Sequence, residues 1–512
     1  MDALISSHIL TIVTFTPALG ALLILLHNRT HVRSIRAFAV TVAVLSFVFS
    51  LHLIAHFDSG SAEFQYVVDL PWIPSFGIQY HMGVDGISLF LILLTTVLTP
   101  LAMLASWSIT ERTKEYFIFM LLLETGMIGV FASLDLFLFY VFWEVMLIPM
   151  YFLIGVWGGN RRIYAAMKFV LYTMIGGVLM LVAIISLYFM HGNATGDYTF
   201  SYPVILNALA TGRMILTPNV ELFLFLAFFL AFAIKVPLFP FHTWLPDAHV
   251  EAPTAGSVLL AGVMLKMGTY GLVRFSLPFF PKMSHLFAPY ISMLAIVGII
   301  YGALVAMVQP DVKKLVAYSS VSHLGFVVLG IFSFTTQGME GAVYQMLNHG
   351  ISTGALFLLV GMIYERRHTR SIEEFGGLAH RMPLFAGVFL IVSLSSIGLP
   401  GLNGFVGEFL ILLGTFRYFP GRAALAATGI ILSAVYMLWM YQRVIWGEVT
   451  NAKNELLSDM NGREKLMIAP LLILIVWMGM YSSHFLRPMD AAVSRLVHQV
   501  EKQDVEFALN PK

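Results

Sequence analysis

Apolar stretches of about twenty residues, the length that crosses a bilayer as a helix, recur along nearly the whole chain. One of them runs from Leu222 to Ile234 without a charge and then meets Lys235, after which Pro237 and Pro240 follow. The chain is 59% hydrophobic and 11% charged, whereas a soluble domain carries about 25% charged residues. We therefore predict an all-α, polytopic membrane protein.

The apolar runs, with the charges and turn residues between them, predict fourteen transmembrane helices. They are expected at 3–26, 37–56, 84–106, 115–132, 135–157, 164–190, 221–241, 253–275, 287–308, 314–334, 340–364, 383–416, 424–446 and 466–486. The seventh, 221–241, is expected to be broken by its two prolines, and the twelfth, 383–416, by the sequence "SSIGLPGLNGFVGE".

Helices four to eight and nine to thirteen form two blocks of five, each with a broken helix as its fourth member. An odd number of helices per block inverts the second block in the membrane, as in many ion-coupled transporters. We predict four parts: helices one to three with an external hairpin loop (1–110), a first repeat (111–280), a second, inverted repeat (281–450), and the last helix with a tail (451–512).

Basic residues are unequally distributed between the two sides of the predicted bundle. Loops joining odd to even helices hold eighteen of the 29, and the other side holds nine, among them Arg274, Lys502 and Lys512; the remaining two are Lys235 and Lys266. The positive-inside rule therefore predicts that both termini face the outside. The loop 57–82, which has no lysine or arginine, would lie there as a short β-hairpin.

Several functions are disfavoured by what the sequence contains. Without cysteine the chain holds no thiolate ligand for an iron–sulfur cluster, and it has neither a GxGxxG nor a Walker-type loop. The net charge of +1 argues against a nucleic-acid partner. The first apolar run is too long, and its start too acidic, for a cleaved signal peptide. We expect no cofactor on this chain.

Four ionisable residues fall near the middle of predicted spans: Glu144, Lys235, Lys266 and Glu408. One mid-span charge costs about 2.5–3.5 kcal/mol on insertion scales, so four of both signs require a function. A single lysine could instead extend its ammonium group to the membrane surface. Glu124 is less central, and a structural and a functional role are equally open for it.

Two histidines, His323 and His349, extend this set of buried groups. A lone buried histidine is usually structural, but the imidazole pKa lies close to the working pH, as a proton relay requires. His323 is surrounded in sequence by Ser319, Ser320 and Ser322, which we expect to order water. Metal binding is disfavoured, because no pair of candidate ligands has the spacing for it within one helix. The residues together predict a proton path.

Long motifs carry a resemblance that covers essentially the whole chain. The stretches "FWEVMLIPMYFLIGVWGG", "AFAIKVPLFPFHTWLPDAHVEAPT", "QPDVKKLVAYSSVSHLGF" and "GLPGLNGFVGEF" resemble the antiporter-like subunits of respiratory complex I, NADH:quinone oxidoreductase. The wider family includes Mrp-type antiporter and membrane-bound hydrogenase subunits. Glu408, where the L- and N-type subunits and most Mrp relatives have lysine, and the chain end soon after helix fourteen favour the M-type members.

The resemblance implies a subunit that moves protons while electron transfer occurs in other subunits, which would hold NAD, FMN, iron–sulfur clusters and quinone. It implies relay roles for six residues: an ion pair of Glu144 and Lys235, a central Lys266, His323 and His349, and an exit-side Glu408. It also implies a bacterial inner membrane and L- and N-type neighbours on either side. The open alternatives are an Mrp-type or hydrogenase subunit and a purely structural membrane scaffold.

Overall fold

The computed structural model describes the backbone of residues 2–509 and the side chains of residues 8–501, and almost all of it is helical. The predicted outer-side charges Lys502 and Lys512 lie outside the described side chains. The first half contains α1 (Asp2–Ile24), α2 (Val32–Ala55), β1 (Gln65–Ile73), β2 (Ile78–Val84), α3 (Leu89–Ala105), α4 (Thr113–Ala132), α5 (Leu136–Trp157), α6 (Arg162–Thr195), α7 (Tyr202–Ala210), α8 (Pro218–Lys235), α9 (Trp244–Glu251) and α10 (Thr254–Phe279).

The second half continues with longer helices and short connections. It contains α11 (Pro281–Met307), α12 (Val312–Ile331), α13 (Thr336–Arg367), α14 (Leu378–Arg381), α15 (Pro383–Ser396), α16 (Asn403–Tyr418), α17 (Pro420–Ile445), α18 (Ala452–Glu455), α19 (Gly462–Met480) and α20 (Ser483–Leu509). Single 3₁₀ turns lie at Pro74–Phe76 and Ile372–Glu374.

Within residues 2–509, ten helices are long and apolar enough to cross a membrane, or eleven if the bent pair α19 and α20 counts as one span. Three shorter apolar helices add to these, at His8–Ile24, Leu89–Ala105 and Pro383–Ser396. The all-α membrane architecture predicted from the sequence is confirmed. The total of fourteen spans stays a prediction.

The outer helices turn apolar side chains outward, whereas the central ones are enclosed on all sides. α6 exposes leucine, isoleucine and valine side chains along its length, among them Leu171, Ile175 and Val182. An apolar outer face is stable in hydrocarbon but not in water. In contrast, the apolar windows of α10 and α13 are wholly buried. The protein interior is therefore built around these two helices.

Both predicted helix breaks are present. α8 ends at Lys235, and the chain turns through the two prolines before α9 begins at Trp244. The second break separates α15 from α16, with Gly398 and Gly401 at φ +75° and +90°, a left-handed backbone that favours glycine. Such non-helical backbone is tolerated at membrane depth only inside protein or beside a water-filled cavity.

The predicted β-hairpin is confirmed: β1 and β2 pair antiparallel, with Val68 opposite Met82. The C-terminal region differs from the prediction. The helix expected at 466–486 ends at Met480, and the expected tail forms α20, bent by 69° from α19. Its buried residues Met489, Val493, Val497 and Val500 recur at helical spacing, but the charges between them lower the hydropathy of the segment.

One charge counted for the orientation lies inside a helix. The sequence analysis counted Arg274 on the outer side, at the end of the span predicted at 253–275; it lies inside α10, four residues before a buried proline, and is 6% exposed. α10 contains two π turns, Leu260–Met264 and Leu272–Ser276. Lys266 lies between them. Turns of this kind insert one extra residue into a helix and are frequent at functional sites.

Candidate functional site

Lys235 is the last residue of α8 and is buried in an aromatic environment. Its Nζ atom lies 5.1 Å from the ring centre of Trp143 and 5.7 Å from that of Phe169. The helix end is fixed by Trp244, whose indole N–H donates to the Ile234 carbonyl at 2.8 Å. Among the described residues, Nζ of Lys235 has no hydrogen-bond partner. The ammonium group is thus placed on π-electron faces rather than on a carboxylate.

Glu144 lies beside this lysine on α5, next in sequence to Trp143, but the two do not form the ion pair expected from the resemblance. Glu144 Oε1 is buried without a hydrogen-bond partner in the part of the chain that the structure describes. Nζ of Lys235 also has no hydrogen-bond partner among the described residues. The pair is therefore open in this structure.

Two glycines of α6 allow the helix to approach both groups. A Cβ atom at Gly176 would lie 2.8 Å from the Ala231 Cα of α8, and one at Gly177 would lie 2.0 Å from Glu144 Oε1. Side chains at these positions would separate α6 from α8 or displace the carboxyl group. The glycine pair thus defines where Glu144 lies relative to Lys235.

Gly177→Ala is therefore expected to displace Glu144 while the protein still folds. A misplacement of about 1 Å can cost a reaction step on the order of 100-fold. For the proton path that the sequence predicts, we expect at least a several-fold loss of proton uptake in inverted vesicles. The matched control is Gly387→Ala, where an added Cβ meets no atom within 4 Å. Equal uptake by the two assembled variants would contradict the role of Gly177.

Lys266 is fully buried in α10 and connects the two halves of the molecule. Its Nζ donates to the Ala261 carbonyl in the first π turn and lies 2.7 Å from Nδ1 of His349 on α13. Nε2 of His349 is buried with no hydrogen-bond partner among the described residues. Lys266 and His349, predicted separately from sequence, are thus brought into direct contact.

His323 and Glu408 form the second contact. Nδ1 of His323 on α12 lies 3.0 Å from Glu408 Oε1 on α16, which also accepts from Gln345 Nε2 at 3.1 Å. On its other side, Nε2 of His323 lies 3.4 Å from the hydroxyl oxygens of Ser396 and Tyr436. The imidazole therefore has a hydrogen-bonding group next to each ring nitrogen, as a group that relays protons requires.

The Lys266–His349 contact and the His323–Glu408 contact border the same small polar cavity. The rings of His323 and His349 are 5.9 Å apart between centres, and both border a space with about the room that one water molecule needs. Asn348 and Ser352 of α13 also line it. One water there would complete a hydrogen-bonded connection from Lys266 to Glu408.

The three serines near His323 in sequence donate their hydroxyl hydrogens to backbone carbonyls. Ser319 and Ser320 donate to Val316 in the same helix, and Ser322 donates to Ile299 of α11. Each hydroxyl hydrogen therefore has a protein partner, and the ordering of water by these serines stays a prediction. The serine that does reach His323, Ser396, comes from the broken segment more than seventy residues away.

Sequence reasoning missed several polar side chains of the site. Gln345 and Asn348 lie on the same helix as His349, four and one residues before it, and hydrogen bond to each other at 3.0 Å. His249 on α9 is fully buried and stacks on Phe357 at 4.7 Å between ring centres. Gln345 could have been predicted as a site residue, because it lies four residues before His349 on the same helix. No comparable spacing in the sequence points to His249.

Glu124 does not join this chain of contacts. It is fully buried in α4, which packs against α1, α2 and α3, and neither of its carboxyl oxygens has a hydrogen-bond partner in the described structure. Within residues 2–509, no group of three or more histidine, aspartate or glutamate side chains is placed to hold a metal ion.

Comparisons with known proteins agree with this geometry. Residues 133–433 match the family described as "NADH:quinone oxidoreductase/Mrp antiporter, TM", and residues 9–128 match "NADH-ubiquinone oxidoreductase chain 4, amino terminus". NADH-quinone oxidoreductase subunit M of Rhodobacter capsulatus is 48% identical over 96% of both chains.

Solved structures extend the likeness to the fold. A chain of respiratory complex I from Thermus thermophilus with bound NADH matches with a TM-score of 0.85 and 34% identity, over 95% of this chain and 99% of that one. The Mrp complex from Dietzia matches with a TM-score of 0.80 at 22% identity, covering 98% of this chain and 56% of that one, which shows a shared fold alone. The chain belongs to the NADH:quinone oxidoreductase/Mrp antiporter family, and within it to the subunit M relatives of NADH-quinone oxidoreductase.

Proposed function

We propose that this chain is a proton-translocating membrane subunit of NADH:quinone oxidoreductase. The observation that carries the proposal is the buried series from Lys266 through His349 and His323 to Glu408, in which contacts of 2.7 Å and 3.0 Å lie on either side of a one-water gap. Every member can gain and lose a proton. A structural scaffold would be more stable with apolar residues at these positions.

The proposed direction of transfer starts at Lys235 and ends at Glu408. Lys235 would hold its proton when Glu144 pairs with it and release it towards Lys266 when the pair opens. From Lys266 the proton would pass to His349, across the water to His323, and then to Glu408. The broken helices support this order, because each exposes one end of the series to hydration without wetting a whole span.

The finer architecture is part of the proposal. Fourteen spans would be arranged as helices one to three (1–110), a first repeat (111–280), an inverted second repeat (281–450) and a C-terminal part (451–512). Both termini would face the periplasm of a bacterial inner membrane. L- and N-type subunits would lie on either side, and NAD, FMN, iron–sulfur clusters and quinone would be bound elsewhere in the complex.

An Mrp-type cation/proton antiporter subunit is the less favoured alternative. The fold is shared with the Mrp complex, but the relative that is 48% identical along both chains is a subunit of an NADH-quinone oxidoreductase. The two functions differ in what drives transport. NADH-dependent proton uptake by vesicles supports the oxidoreductase, whereas sodium-dependent uptake that ignores NADH supports the antiporter.

Glu408→Gln tests the exit group. The amide keeps the size and hydrogen bonds of the side chain but does not release a proton at physiological pH. Loss of a proton-transfer group typically costs about 100-fold or more, so we expect NADH-driven proton uptake to fall at least tenfold while the complex assembles.

The matched control for this substitution is Glu455→Gln, at an exposed carboxylate of α18. Lysine at position 408 should keep part of the activity, because its amine can also take up and release a proton. If assembled Glu408→Gln complex pumps at the parental rate, Glu408 is not the exit group.

A further inference from the structure

A buried ion pair of Arg274 and Asp85 lies outside the proposed relay, at the inner end of an open cavity. The cavity measures about 550 Å³ and opens between the β-hairpin region, α7 and α20. Glu63, Tyr202 and Arg495 line its walls, and Asp85 and Arg274 line its inner end. We refer to this cavity as the vestibule. Arg495 ties α20 to the hairpin loop through Glu63, at 2.8 Å.

Arg274 and Asp85 are held in place by several contacts. Their side chains are 2.5 Å apart and both buried. Asp85 Oδ1 also accepts the backbone N–H groups of Ile87 and Ser88, each at 3.1 Å. The guanidinium group lies 5.0 Å from the ring centre of Phe64. Asp85 is therefore bound as a carboxylate, and the guanidinium has one fixed position.

Arg274 also forms a hydrogen bond on the side that faces the protein interior. Arg274 Nε donates to the Tyr270 hydroxyl at 3.2 Å, and that hydroxyl donates onward to the Phe131 carbonyl, also at 3.2 Å. Burial raises the pKa of Tyr202, the phenol in the vestibule wall, to about 12, so it stays neutral. In the series of bonds from Asp85 through Arg274 to Tyr270, no group has both a free acceptor and a proton that it can release.

Lys266 lies behind this series on the same helix. Lys266, Tyr270 and Arg274 are spaced four residues apart in α10, which places them on one side of the helix. Eight residues at a rise of about 1.5 Å separate the lysine from the arginine by about 12 Å. The vestibule thus comes within a short distance of the central group of the relay, although the Lys266 side chain itself turns towards Ala261 and His349.

We propose that Arg274, positioned by Asp85, is a proton insulator that separates the vestibule from Lys266. A hydrogen-bonded wire carries a proton only if each member can accept one and donate another. Guanidinium has five donors and no acceptor and does not deprotonate in proteins. It therefore does not pass a proton on from the vestibule towards Lys266, and its positive charge opposes the entry of hydronium.

The inference rests on the proposed proton relay, because an insulator matters only if Lys266 carries protons. Without the insulator, protons pumped to the vestibule side would return through Lys266, and the complex would oxidise NADH without holding a gradient. Arg274 would thus block the return of protons without carrying protons itself. It makes no contact with the relay groups.

Arg274→Lys is the decisive variant, because lysine keeps the charge and the pairing with Asp85 but restores a proton that can be released. In proteoliposomes with the purified complex, we expect normal assembly, NADH oxidation that an uncoupler no longer stimulates, and a several-fold faster decay of an imposed pH gradient. Arg274→Gln should leak likewise. If Arg274→Gln fails to assemble, Arg274→Lys decides alone.

The double variant Arg274→Lys with Lys266→Met separates this inference from the proposed function. If both hold, removing Lys266 closes the leak. An Arg274→Lys complex that retains its gradient as well as the parent overturns the insulator. A leak that persists without Lys266 does the same, because the protons then follow another route. The proposed relay itself is contradicted if Lys266→Met alone pumps normally.

Discussion

Replacing Lys266 by methionine is expected to abolish proton uptake by this subunit, the largest effect of any single substitution in the chain. Lys266 is the one described side chain that contacts the His349 ring nitrogen, and it lies in the helix that joins the two halves. Methionine fills similar volume without a titratable group, so the protein should remain folded. We expect NADH-driven uptake in inverted vesicles to fall at least tenfold, the loss typical of removing a proton-transfer group being about 100-fold or more.

Folding and transport can be distinguished in this experiment. A buried amine without a carboxylate partner is destabilising, so Lys266→Met should raise, or leave unchanged, the temperature at which the complex dissociates. The matched control is Lys314→Met, at the partly exposed lysine in the first turn of α12. Normal uptake by Lys266→Met would show that protons do not pass through α10.

The second large effect is expected at the buried residues Lys235 and Glu144. Lys235→Met and Glu144→Gln should each leave assembled complex with most of its proton uptake lost, for different reasons. Methionine removes the carrier. Glutamine removes the charge that makes the ammonium stable in an aromatic pocket. If Lys235 only extends its ammonium group to the membrane surface, Lys235→Met should instead be harmless.

The energies involved are large enough for the proposed switch. Transfer of an ammonium group from water into protein costs several kcal/mol, and a close carboxylate offsets part of this cost. Moving one charge against 100 mV requires about 2.3 kcal/mol. Closing and opening the Glu144–Lys235 pair therefore changes the proton affinity of Lys235 by an amount comparable with the work of pumping. In the proposed switch, the open pair would be the state that releases the proton.

The helix breaks could be predicted from the sequence because their causes are local. Pro237 and Pro240 remove donors after Lys235, and Gly398 and Gly401 permit a left-handed backbone. The membrane class was likewise determined by runs of apolar residues. In contrast, α20 was missed because its apolar face alternates with charges, and the π turns around Lys266 leave no signature in composition.

The contacts within the site could be predicted only in part. The relay residues were identified singly, because each is an ionisable group within an apolar run. Their partners were not, since His323 and Glu408 are 85 residues apart in sequence and Lys266 and His349 are 83 apart. Whether Glu144 and Lys235 pair depends on how α5, α6 and α8 pack against one another, which is a matter of tertiary structure.

Lys235→Arg tests most directly whether the buried groups carry protons or only charge. Arginine retains the positive charge, the aromatic contacts and the attraction to Glu144, but guanidinium does not release its proton. The measurement is the number of protons taken up per NADH oxidised by proteoliposomes containing the assembled variant complex. The relay predicts that uptake falls as far as in Lys235→Met. Full uptake with arginine at position 235 would contradict it, because a fixed charge would then suffice.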